Sequence, residues 1–237
     1  MRLACSTRCF EKAFQRGEMS INTFFAASAL LGVDGVEIFA EHLPSTRATY
    51  ATTLRERLQE HELVLATISC QVPEPKELTE VVEPLMSFAK ELRARSVCLV
   101  GAFEWHSYRD PLAQLMPAAE RLALPIGLAM PLREKVSSEL SELLDDIASP
   151  YLGICLTISA EISPQDPLWQ NLVAMAPFAL HVHLLVSDLG RSLTWLPALE
   201  LLREVEYEGF LSFVQVPEPT EDNLRLLCSQ LASLMER

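Results

Sequence analysis

The sequence predicts an α/β protein built as a single (β/α)8 TIM barrel over residues 1–237. Three observations carry that expectation: short apolar runs recur eight times, amphipathic stretches separate them, and no glycine-rich nucleotide loop follows the first run. Near-continuous apolar runs, rather than strict alternation, mark strands of a parallel sheet that helices cover. Their spacing of about thirty residues is that of a βα unit, and eight such units close a barrel.

The expected strands are Leu3 to Ser6, Gly35 to Phe39, Leu63 to Ser69, Ser96 to Val100, Pro125 to Ala129, Gly153 to Thr157, Ala179 to Leu184 and Phe210 to Val214. The first helix is read over Ile21 to Leu31, because Ser20 can cap its start and Gly32 can end it. Helical spacing places the others over Ala48 to His61, Glu77 to Arg93, Pro111 to Ala123, Lys135 to Ile147, Leu168 to Ala176, Leu196 to Val205 and Glu221 to Met235. In the last, Leu224, Leu227, Leu231 and Leu234 form one apolar stripe, assigned to packing.

Composition narrows the function classes. Hydrophobic residues make up 49% and charged residues 22%, enough to bury a sizeable core. A formal net charge of -13 with no basic cluster disfavours nucleic acid and anionic membranes as partners. Only eight glycines are present, and neither GxGxxG nor GxxxxGK[ST] occurs, which argues against a dinucleotide or nucleotide fold. Cys5, Cys9, Cys70, Cys98, Cys155 and Cys228 show no zinc-type spacing and read as small buried hydrophobes. With no apolar signal segment and no membrane-length run, the expected location is the cytoplasm.

Chemistry in such barrels sits at the C-terminal strand ends. Glu37 interrupts an apolar strand, where a carboxylate is costly unless paired or wet, so it is either a ligand-facing acid or half of a structural ion pair. Glu104, Trp105 and His106 combine a carboxylate, a flat apolar face and an imidazole on one expected loop after strand four. The alternative there is a solvated surface loop. His181 and His183 project to the same side of strand seven, either as core histidines or as site residues. Thr157 and Gln215 occupy two further strand ends, and Asp188, Gly190, Arg191 and Ser192 follow strand seven where many barrels hold phosphate.

The segments LACSTRCF, GVDGVEI, ELVLATISC, LPIGLAM, LGICLTIS, ALHVHLLVSD and YEGFLSFVQV, in this order, resemble the xylose isomerase-like superfamily of sugar isomerases, sugar epimerases and endonucleases. The resemblance implies a divalent cation held by a Glu, an Asp, a His and a Glu at the ends of strands five to eight, the two Glu moving a proton between sugar carbons. Matched residue by residue, those positions are Ala129, Thr157, His183 and Val214, so only the histidine is kept. No family-type metal and no cofactor are therefore expected.

Three readings follow. The first is a sugar or sugar-phosphate isomerase- or epimerase-like barrel that binds a small polar, sugar-like molecule at its mouth, through Trp105, Glu104, Thr157 and Gln215. The second adds displaced acid/base chemistry by His183, Glu37 and His106. The third is a non-catalytic scaffold or regulatory protein. Association into a homo-oligomer is compatible with each.

Overall fold

A computed structural model describes residues 1–129, 136–187 and 195–236. Eight parallel strands close a barrel in chain order: β1 (Arg2–Ser6), β2 (Gly35–Phe39), β3 (Val64–Gln71), β4 (Ser96–Val100), β5 (Ile126–Ala129), β6 (Leu152–Ser159), β7 (Ala179–Leu185) and β8 (Phe210–Gln215). The seam is the β1–β8 pair, in which Leu3 lies opposite Leu211 and Cys5 opposite Phe213. Every expected strand is present, and the ends shift by at most two residues.

Helices alternate with the strands. A short α1 (Glu11–Gln15), preceded by a 3-10 turn at Thr7–Phe10, occupies the connection after β1, where no element was anticipated. It is followed by α2 (Ile21–Leu31), α3 (Ala48–Glu60), α4 (Leu78–Glu91), α5 (Trp105–Leu122), α6 (Val136–Ile147), α7 (Trp169–Met175), α8 (Leu196–Glu204) and α9 (Glu221–Met235). The Ser20 side chain accepts from the Thr23 amide, Thr23 reciprocates, and Gly32 ends α2 at φ 72°, so both α2 signals work as read. In α9, Leu224, Leu227 and Leu231 are buried, with Cys228 beside them, while Leu234 is only half-buried.

One helix corrects the sequence reading. α5 begins at Trp105, six residues before Pro111, so Trp105 and His106 belong to its first turn rather than to a loop. Pro111, where the sequence reading starts this helix, lies inside it, as does Pro117. Tyr108 ties this turn down, its hydroxyl donating to the Pro73 carbonyl at 2.9 Å.

The strands divide their side chains between two compartments, as a period of two requires. Outward residues such as Val36, Ile38, Val97, Leu99, Leu128 and Leu211 join the helices in the main apolar core. Inward residues fill the lumen. Ala4, Val64, Ala66 and Phe210 pack its N-terminal end, where the Arg2 guanidinium lies 4.1 Å over the Phe210 ring. Cys98, Ala129 and Cys155 form a second apolar group. All six cysteines are buried and unbridged, as anticipated. Among the described residues, no helix is long and apolar enough to cross a membrane.

Gly35 leaves room that the lumen needs: a Cβ there would sit 2.6 Å from the Val64 carbonyl oxygen and 2.7 Å from Phe210. At Gly127 the tightest neighbour would be the Cys98 sulfur at 3.2 Å. Gly35→Ala should therefore destabilise the protein by about 1–3 kcal/mol, since the neighbouring backbone must move. Gly127→Ala should cost less. Urea unfolding of the two variants checks the order.

Candidate functional site

Glu37 projects from β2 into the lumen and is fully buried. β7 approaches it from beyond β8 and β1, carrying His181 and His183, which are 1% and 3% exposed. The His183 Nε2 lies 2.8 Å from Glu37 Oε1, and the His181 Nε2 lies 3.5 Å from Oε2. The Ser69 hydroxyl, from β3, also donates to Oε1. His181 Nε2 makes its hydrogen bond with Ser212 Oγ of β8, at 2.9 Å. The two imidazole planes are nearly perpendicular, at 81° with centroids 5.4 Å apart, so both ring edges converge on one carboxylate.

Burial alone would raise the Glu37 carboxyl, but the charge on His183 and the close approach of both imidazoles outweigh it and hold the group well below the usual carboxylate range. His183 answers in kind: burial depresses it, the Glu37 charge lifts it further, and its net position is above the ordinary imidazole value. Each shift favours the charged form, so the two groups support one another as an ion pair inside the lumen. Beside it, Cys98 and Cys155 face each other over Gly127. Burial raises the Cys98 thiol, yet the Cys155 hydrogen bond and the two imidazoles bring it below its ordinary value.

Strand geometry aims these groups. Opposite Val36 and Glu37, β3 carries Ala66 as an extra residue; opposite Ile154 and Cys155, β7 carries Leu180; opposite Leu184 and Leu185, β8 carries Val214. Such bulges re-aim side chains next to functional sites.

Of the residues singled out from sequence, the structure joins Glu37 to His183. Thr157 is half-buried and lies opposite His183 in the β6–β7 register, whereas Gln215 is exposed at the end of β8. Glu104 and His106 are exposed at the start of α5, and Glu104 uses its carbonyl to accept from Ser107. The Trp105 side chain and residues 188–194, including Asp188, Gly190, Arg191 and Ser192, lie outside the described residues. Ser212 was not singled out; its place on the inward face of β8 was the available signal. Also missed was Glu161, past the end of β6, which accepts from Ser159 at 2.8 Å and from Ser187.

No protein-family model matches the chain, and no curated protein does. Solved structures do. A D-psicose 3-epimerase crystallised in the presence of D-fructose superposes with a TM-score of 0.79 at 11% identity, covering 100% of both chains. A xylose isomerase domain protein from Planctomyces limnophilus gives 0.73 at 16% identity over 89% of this chain and 92% of its own. An AP endonuclease of family 2 from Brucella melitensis gives 0.72 at 16% identity over 97% and 99%. What this chain shares with them is the fold, a (β/α)8 TIM barrel.

Removing one partner of a buried pair strands the other, so Glu37→Ala should cost about 3–5 kcal/mol. The double variant Glu37→Ala, His183→Ala should cost less than the sum of the singles, with a coupling of about 0.5–3 kcal/mol in urea unfolding. Additive losses would show that the pair does not act as a unit.

Proposed function

We propose that this protein binds a small polar, sugar-like molecule at the C-terminal mouth of its barrel, as an isomerase- or epimerase-like member of the fold. The observation that carries this reading is the Glu37–His183 pair, a carboxylate and an imidazole paired inside the lumen, each two residues before the C-terminal end of its strand. A buried pair costs desolvation, and a pocket is served by a few fixed polar groups on an otherwise apolar floor. The fold likeness to an epimerase crystallised in the presence of D-fructose supports a sugar-like ligand class.

In this reading His183 and Glu37 form the polar floor, and His106 is the rim candidate for proton transfer. Trp105, Glu104, Thr157 and Gln215 are the candidate ligand contacts. The cation position implied by the sequence resemblance does not fit a divalent ion: Ala129 and Val214 are buried and apolar, and Thr157 offers only a hydroxyl. Isomerisation by two cation-bound carboxylates is not available to these residues.

A second reading, a non-catalytic scaffold, is favoured by one specific observation: His183 is only 3% exposed and spends its Nε2 on an internal partner.

A thermal-shift screen over sugars, sugar phosphates and polyols, run in chelator, separates the two. At a hundredfold excess over Kd, a ligand should raise Tm by about 5–10 °C. His183→Ala or Trp105→Ala should abolish that shift. No shift with any compound, or shifts that both variants keep in full, would favour the scaffold.

A further inference from the structure

We infer that Glu37, His181 and His183 form a binding site for a zinc-class divalent cation, set in the lumen on β2 and β7; it shares His183 with the position implied by the sequence resemblance and takes its other ligands from Glu37 and His181 instead of Ala129, Thr157 and Val214. One ligand atom from each of the three residues lies within 4.8 Å of the others, and all three are buried. Zinc bonds of about 2.0–2.2 Å at a tetrahedral angle place ligand atoms about 3.3–3.6 Å apart; the 3.5 Å from His181 to the carboxylate matches this spacing, and the 2.8 Å from His183 widens by under about 1 Å on loading.

A second observation points to a ligand independently of the clustering. Glu37 Oε2 is buried and accepts no hydrogen bond, while Oε1 accepts two, from Ser69 and His183. A buried carboxylate oxygen without a donor is rare, and an ion is one of its standard explanations. Both imidazoles offer Nε2, and two imidazoles with one carboxylate suit a borderline-soft cation, not calcium or magnesium, which require oxygen donors.

The remaining polar contacts fit this assignment. Ser69 fixes the carboxylate, as outer partners of metal ligands do. Ser212 Oγ, 2.9 Å from His181 Nε2, stands beside the ligand nitrogen as a neutral oxygen. The site does not depend on whether a sugar binds at the mouth.

Because the three ligands are buried, loading is tested during folding. The full chain is unfolded in urea with chelator and refolded with Zn2+ or Co2+. One equivalent should be retained after desalting, Tm should rise above that of the chelator-refolded protein, and the cobalt form should show the intense visible bands of a tetrahedral ion. His181→Ala and Glu37→Gln should each weaken binding more than about tenfold. If these variants do not fold, zinc-edge X-ray absorption on the parent decides: two imidazoles with an oxygen donor and no sulfur are expected. No retained metal and no change in Tm would overturn the assignment, and so would sulfur ligation, which would place the ion on the cysteines.

Discussion

The structure depends most on how the lumen accommodates the Glu37 carboxylate. A carboxylate carried into a dry barrel is unstable as an isolated charge, and the effective penalty amounts to several kcal/mol. Here the compensation comes from three side chains on two strands. His183 and His181 reach it from β7, and Ser69 reaches it from β3. Since β2 and β7 are not neighbours, these contacts tie together strands that the backbone ladder leaves apart, and they fix the barrel's middle layer as a polar one. The apolar groups around Phe210 and around Cys98 then occupy what remains.

Strand register follows from the same constraint. A regular β7 would place successive inward residues at equal height against both neighbours. Instead β7 is offset against β6 at Leu180, and β8 is offset against β7 at Val214, so the histidine-bearing segment is bracketed by irregularities. The third offset, at Ala66, lies directly across from Val36 and Glu37. All three bulges therefore involve strands that supply or flank the carboxylate cluster. β4 and β5 contribute none of its side chains, and their ladders with β3 and β6 run without a shift.

Most of the fold was legible in the sequence because parallel strands covered by helices read as unbroken apolar runs, and the eightfold recurrence left few topologies. α5 starts earlier than the sequence reading placed it because the turn before Pro111 is held by a tertiary contact, the Tyr108 hydroxyl on the Pro73 carbonyl, which no local pattern reveals. The site was half legible. Glu37 stood out as a charge in an apolar strand, but its partner lies 146 residues away, and no sequence-local rule selects His183 from the five histidines. Period-two alternation did place His181 and His183 on one face. It could not say that both would be spent on the same acid.

That shared acid distinguishes this lumen from a merely polar core. A lone Glu37–His183 pair would be satisfied by one hydrogen bond and one charge, and the second imidazole could then be any apolar side chain of similar size. His181 is kept within 3.5 Å of the other carboxylate oxygen, yet its nitrogen is held by Ser212, so it neither completes the ion pair nor leaves the cluster. A structural network would be expected to satisfy Oε2, as it does Oε1. A carboxylate oxygen left without a proton donor, beside two imidazole nitrogens that converge on the same acid, is the ligand set a cation requires, and the bulges that bracket β7 lie on either side of the segment that carries both histidines.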